Sequence, residues 1–422
     1  MRRNRRIVLT KRLWIVLACQ LLVGGVFVFS GLTKAIDPVG TAIKIGEYLQ
    51  HFRMGWLSDF SAGFAWMQAL AEIGLGIYIL VGHHRLVTSL ISLLFMGVMT
   101  PLTLYLAIFN PVDNCGCFGD AWILTNWETF AKNVVISAAV VMLYIHRHEQ
   151  VALLSRFYHT LYFYLTMTGA LVLLFWGSWK LPFIDFRPYR PGVSIVAQNS
   201  QEQTDTEYIV VYEKDGKRQE FTLDNLPEEN SGWEFVETKT VTSSDKASHT
   251  SDLVLFDAWD NEVTQQVLGD TNYVMLLLSP DLREAQEHDI DRIENLYEYA
   301  LQQGYPFYCF TQRDNEAVEH WRFRTGSEYP FLYADKQVIE TMIRSNPGFM
   351  LLHNGVILWK SHLSGIDVPQ LTSAKLSEQS LGQIRPINRK MRVFCIIVWL
   401  IAPLLLYLPL QIVKLYANKF KK

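Results

Sequence analysis

A chain of 422 residues has room for two or three domains, and its 50% hydrophobic and 19% charged residues lie between soluble and membrane averages, so the mean conceals two unlike parts. With 38 Lys and Arg against 41 Asp and Glu the net charge is -3, which leaves no positive excess to suggest nucleic acid. Five cysteines are too few for a disulfide-built scaffold, and only Cys115 and Cys117 lie near each other in sequence.

The basic tail of residues 1–12 leads into Leu13 to Thr33, 21 uncharged residues that suffice, as a helix, to cross an apolar layer of about 30 Å. A signal peptide is the competing reading, but the run is too long and no small-x-small cleavage site follows it. Val39, Ala42, Ile43, Gly46, Leu49, Phe52 and Trp56 then recur at helical spacing between Lys44, Glu47, Gln50 and Arg53, which predicts a helix lying on the membrane surface. Further spans are predicted at Phe60 to Gly82, interrupted by Glu72, and at Leu86 to Val112, Phe157 to Trp179 and Val393 to Val413. Trp127 to Ile145 completes the set, with Glu128 and Lys132 snorkelling near its start. Residues 13–180 thus hold five spans and residues 391–413 a sixth, before a basic tail over 414–422. The Lys and Arg bias predicts cytoplasmic termini, with the loop from Asn114 to Asp120 and the segment from Leu181 to Lys390 outside. The expected setting is a prokaryotic plasma membrane, with the lipid bilayer as one partner and the soluble part on the periplasmic, extracytoplasmic side.

From Pro182 the pattern changes, because Pro182, Pro188, Pro191 and Gly192 break helices and the later apolar runs have strand length. Residues 181–250 read as a stalk and a small β module. In that module Tyr208 to Glu213 and Arg218 to Leu223 flank an Asp215-Gly216 hairpin turn. The stretch Asp185 to Pro191 reads as rigid, and the alternative is that Arg187 and Arg190 bind lipid phosphates. Over residues 251–385, strands at Tyr273 to Leu278, Pro306 to Thr311 and Tyr329 to Tyr333 alternate with helices at Asp289 to Gln303 and Asn315 to Gly326. A hairpin of Gly348 to His353 and Val356 to Ser361 around Asn354-Gly355 ends the series. This order resembles the thioredoxin fold, whose last hairpin follows a cis-proline at the place held here by Pro347. The resemblance departs at the active position, where Ser279-Pro280-Asp281-Leu282 stands in place of Cys-x-x-Cys. Cys309 lies mid-strand and reads as a buried inert thiol. Peptide binding along the sheet edge near Pro347 and a purely structural role stand level.

Phe29-Ser30-Gly31-Leu32-Thr33-Lys34-Ala35-Ile36-Asp37-Pro38, then Glu72, then Asn114-Cys115-Gly116-Cys117-Phe118-Gly119 resemble the DoxX-like superfamily, and the cysteine loop is most similar to MauE-type methylamine-utilisation proteins. The resemblance covers roughly residues 10 to 180. It implies a four-helix membrane core, here with two further spans and an external α/β thioredoxin-like domain, in a family associated with redox maturation of exported proteins.

Gly116 and Gly119 permit the bend that brings Cys115 and Cys117 within bonding range, and so small a ring suits exchange better than permanent stapling. A static disulfide is the bland alternative. Metal ranks third, since Asp113 and Asp120 add no ligand spacing. Glu72, deep in its span, must be paired, solvated or protonated. It serves either as a proton relay or a contact for a quinone, the cofactor class considered, or as a hydrogen bond between helices. Lys34 and Asp37, at the outer end of the first span, are candidates for an ion pair near the cysteines or for interface anchors. His83 and His84 read as headgroup-level residues, and Cys19 and Cys395 as buried thiols in spans. The expected function is thiol-disulfide maturation of envelope proteins, with an exported client or thiol-disulfide protein as partner. The alternatives are a non-catalytic scaffold and a membrane core that handles a quinone or small molecule.

Overall fold

The computed structural model describes residues 11–112, 115–152, 154–195, 206–214, 217–222, 234–242, 253–384 and 389–419. It divides into two compact units, Met1–Arg187 with Ile387–Lys422, and Pro188–Pro386.

The first unit is helical. Its elements are α1 (Lys11–Ile36), α2 (Pro38–His51), α3 (Ser61–Val81), α4 (Arg85–Phe109), α5 (Asn126–Ile145) and α6 (Arg156–Trp179). Among the described residues five stretches, Arg12–Ile36, Gly55–Val81, Arg85–Phe109, Asn126–Ile145 and Phe157–Trp179, are long and apolar enough to cross a membrane. Trp56, Trp122, Trp127 and Trp179, each 59–75% exposed, lie near the ends of these stretches that meet the α4–α5 loop, as an interfacial aromatic belt requires.

The closest packing joins α1 to α3. A Cβ added to Gly31 would lie 2.8 Å from both the Ala69 carbonyl oxygen and the Ile73 nitrogen, and one added to Gly76 would lie 2.7 Å from the Val28 nitrogen. Small residues therefore let these two backbones approach, as membrane helices do where no hydrophobic force drives them together. The predicted surface helix is α2, opened by Pro38 and by Asp37, whose Oδ1 accepts from the Gly40 N–H at 3.0 Å. Glu128 has a local task that hydropathy does not show, because it forms a capping box with Thr125 at the start of α5.

The segment read as a free stalk belongs to this unit up to Arg187. Phe183, Ile184 and Phe186 pack into its core, and Arg187, 1% exposed, donates from Nε to Asp185 Oδ1 at 2.9 Å. A guanidinium so enclosed is withdrawn from lipid phosphates, which corrects the lipid-binding alternative for this residue. Cys395 is exposed and Cys19 half-buried, so neither is the fully buried thiol expected. The His83 ring stacks on buried His159 at 4.3 Å. The final helix, α10 (Arg389–Lys419), joins this unit. Its Trp399 lies directly over Gly169 of α6, and its Leu400 carbonyl accepts from the Tyr162 hydroxyl at 3.1 Å.

Among the described residues the second unit contains two sheets. In the smaller, β1 (Thr206–Lys214) lies between β2 (Lys217–Thr222) and β3 (Glu234–Thr242), all antiparallel. The Asp215-Gly216 turn lies outside the described residues, and β3 had no counterpart in the sequence reading. The larger sheet runs in the order β6-β5-β4-β7-β8. Its strands are β4 (Tyr273–Ser279), β5 (Phe307–Thr311), β6 (Phe331–Tyr333), β7 (Gly348–His353) and β8 (Val356–His362). The helices between them are α7 (Ile290–Gln303), α8 (Asn315–Thr325) and α9 (Lys336–Met342). The strands β4, β5 and β6 are parallel, whereas β7 and β8 return antiparallel through Asn354 and Gly355 at φ 51° and 68°. That turn needs two left-handed residues, which Asn-Gly supplies at least cost. Val274 to Ser279 are all buried, as in a central strand covered on both faces.

Part of each edge of this sheet is paired by the chain itself. On the β8 side Ile357 donates to the Val193 carbonyl at 3.0 Å and Gly192 to the Ile357 carbonyl at 2.7 Å, and on the β6 side Phe256 and Tyr333 exchange hydrogen bonds of 2.9 and 2.8 Å. Backbone groups already paired are not offered to an added peptide strand.

Candidate functional site

The connection from α4 to α5 carries the two cysteines. Asn110 ends α4 in the left-handed conformation, φ 43°, and Asn126 Nδ2 ties the loop ends together by donating to Asn110 Oδ1 at 2.7 Å and to the Val112 carbonyl at 2.8 Å. Between them the Gly119 N–H closes a turn onto the Gly116 carbonyl at 3.0 Å. Gly116 and Gly119 adopt φ 64° and 54°, a region that L side chains rarely enter, so the bend anticipated at both glycines is present. As a result Cys115 Sγ and Cys117 Sγ lie 3.0 Å apart, both half-buried.

The loop rests on α1 and α2. Phe118 is buried edge-on against Phe29 of α1, with ring centroids 5.1 Å apart. The Tyr48 hydroxyl of α2 donates to the Cys115 carbonyl at 2.8 Å. The Ser30 hydroxyl of α1 donates to the Cys117 carbonyl at 2.7 Å. The ammonium of Lys34 has three protons and finds three acceptors. They are the Cys117 carbonyl at 2.7 Å, Ser30 Oγ at 2.7 Å and Glu72 Oε2 at 2.9 Å. Glu72 Oε1 accepts from Gln68 Nε2 at 3.1 Å.

The Lys34–Glu72 pair is almost sealed, with side-chain exposures of 3% and 5%. Side chains on a helix lean toward its N-terminus, so in the antiparallel pair α1 and α3 a lysine near the end of one and a glutamate midway along the other lean together. Both need water or each other; the pairing removes the need for water. The cation near the cysteines therefore has its carboxylate on α3, while Asp37 caps α2.

When both sulphurs are reduced the pair is electrically lopsided. The hydrogen bond from the Cys115 thiol, aided by the positive charges of Lys132 and Lys34 and opposed by burial, lowers Cys117 to about 6. The hydrogen bond to Cys117, reinforced by burial, holds Cys115 well above the usual thiol range. Lys132 Nζ sits 4.2 Å from the centroid of the Phe118 ring.

The other sequence candidates stand apart from this constellation. Pro347 follows a cis peptide bond, as the hairpin position suggested. The Asn346 carbonyl already accepts from the Gln286 N–H at 3.0 Å, and Ser279 Oγ donates to Asn346 Oδ1 at 2.6 Å. Cys309 is fully buried, and burial pushes its thiol up. Asp113 and Asn114 lie outside the described residues. Among the described residues no three His, Cys, Asp or Glu side chains gather to hold a metal ion. Ser30, Tyr48 and Gln68 were missed in the sequence. The available signals were helical spacing, since Ser30 and Lys34, and likewise Gln68 and Glu72, stand four apart on one face.

Residues 12–145 match the family model described as methylamine utilisation protein MauE, and residues 206–244 match a domain of unknown function (DUF8463). No curated protein and no solved structure matches the chain. Lys34, Glu72, Cys115 and Cys117 all lie within the residues that are similar to the MauE family model.

Proposed function

We propose that Cys115 and Cys117 exchange between dithiol and disulfide, and that the chain supports thiol-disulfide maturation of envelope proteins through them. The observation that carries this reading is the approach of the two sulphurs to 3.0 Å on a loop between spans, bent by two left-handed glycines. Exchange with a partner disulfide balances by itself, since the pair gives up two electrons and the partner's two sulphurs receive them. Permanent stapling is the weaker reading, because Asn126 already ties the loop ends and the Tyr48, Ser30 and Lys34 bonds hold its middle without any bridge.

The lobe reads as thioredoxin-like on the order β6-β5-β4-β7-β8 and the cis-proline before β7. It contributes no dithiol, so its part is to position a client. The helical unit reads as a DoxX-like core of α1, α3, α4 and α5 with α6 and α10 added. Six crossings put the cysteine loop and the lobe on the same, extracytoplasmic face of a prokaryotic plasma membrane.

The test is a Cys115→Ser, Cys117→Ser double variant, with proteome-wide thiol labelling of exported proteins. Cells carrying the variant should show the same change in the free thiols of exported proteins as cells lacking the protein, at unchanged membrane insertion. Full retention of the wild-type pattern would instead support a scaffold. Loss in a Glu72→Gln protein that is still folded and inserted, with full retention in the cysteine variant, would point to small-molecule handling by the helices.

A further inference from the structure

The two sulphurs of this loop are not equivalent. The Cys115 carbonyl is covered by the Tyr48 hydroxyl, while Cys117 lines a shallow hollow with Phe118, Trp122, Ile123 and Leu124. Positive charge reaches Cys117 from two helices. Lys34 of α1 donates to its carbonyl oxygen, and Lys132 of α5 lies over the ring of the next residue, Phe118. A lysine this near the start of a span would ordinarily extend its ammonium toward water. Here it lies 4.2 Å from the centre of the ring of Phe118, the residue next to Cys117.

Resting on the dithiol function proposed above, we propose that Cys117 is the sulphur that exchanges with a partner's disulfide, that Cys115 is the resolving thiol, and that Lys132 is a positioning residue for Cys117. The Cys117 thiolate attacks one sulphur of a partner disulfide R–S–S–R′, so that the mixed disulfide Cys117–S–S–R forms, the partner's S–S bond breaks and R′–S⁻ leaves. Cys115 then gives its proton to R′–S⁻ and attacks Cys117 Sγ, which closes the Cys115–Cys117 bond and releases R–S⁻. One thiolate and one thiol are consumed, one thiolate and one thiol are released, and no other oxidant enters. Run backwards, the same steps oxidise a client dithiol: its first thiolate attacks Cys117 Sγ and expels Cys115, and its second then displaces Cys117, which leaves readily because its thiolate is stabilised.

The test is pH-dependent alkylation of the reduced full-length protein in lipid nanodiscs, with iodoacetamide as probe and site-resolved mass spectrometry as readout. Cys117 should be modified with a midpoint near 6 and, at pH 7, at least about tenfold faster than Cys115. Lys132→Gln should raise the Cys117 midpoint by about one pH unit, and Lys132→Arg should restore it. Faster modification of Cys115, or a midpoint unmoved in Lys132→Gln, would overturn the assignment. Oxidised glutathione separates this from the function itself. If it forms no Cys115–Cys117 disulfide while Cys117 keeps its selective alkylation, the exchange function fails and the assignment of the reactive thiolate stands.

Discussion

Replacing Glu72 by Gln is expected to cost about 3–5 kcal/mol, because it leaves the ammonium of Lys34 enclosed without its counter-charge. The effect should reach the cysteines, since the same ammonium holds the Cys117 carbonyl at 2.7 Å. Thermal unfolding in detergent measures the first consequence, and the rate at which a maleimide modifies reduced Cys117 measures the second. A double replacement, Lys34→Met with Glu72→Leu, should destabilise less than Glu72→Gln alone. Exchanging a buried ion pair for apolar groups of similar volume is often near neutral, whereas breaking one is not. It should still loosen the cysteine loop, which loses its lysine anchor. If Glu72→Gln matched the wild type in both measurements, the pair would not be the support of the loop.

Gly31→Leu is expected to be comparably severe for a different reason. The new Cβ would stand 2.8 Å from a backbone oxygen and a backbone nitrogen of α3, which cannot rotate away as a side-chain end can. Overpacking of this kind costs about 3 kcal/mol, and here it pushes α1 off α3 one turn from Lys34. Gly25→Leu supplies the control on the same helix, because nothing lies within 4 Å of its Cβ position. That variant should stay within about 0.5 kcal/mol of the parent. Equal melting of the two variants would contradict the close α1–α3 contact.

The spans, the larger sheet and the cysteine loop were legible because each is written in local sequence. Uncharged runs bound α1 and α4, Asn354-Gly355 dictates the last hairpin, and Cys-Gly-Cys carries its own bend. What was not legible is contact between distant residues. The charges of Lys34 and Glu72 were both noticed, yet their pairing spans 38 positions and depends on the helix contact that Gly31 and Gly76 allow. Asp37 lies only three residues from Lys34 and was the nearer guess, but a residue just before Pro38 is also where a helix cap belongs. The fate of Arg187 was hidden for the opposite reason. Four helix-breaking residues from Pro182 to Gly192 mark where helices stop, and say nothing of whether the chain then leaves the helical unit or folds back onto it. The partial pairing of the sheet edges was hidden likewise, since residues 192–195 and Phe256 carry no strand-length pattern of their own.

The most direct test is the redox state of Cys115 and Cys117 in intact cells, read by trapping free thiols with a maleimide mass tag. The exchange reading predicts two populations, one tagged at both sulphurs and one at neither. They should interconvert within minutes when a permeant thiol is added and washed out. A pair that stays reduced in cells under oxidising conditions, or one that stays bonded through the thiol pulse, would contradict it.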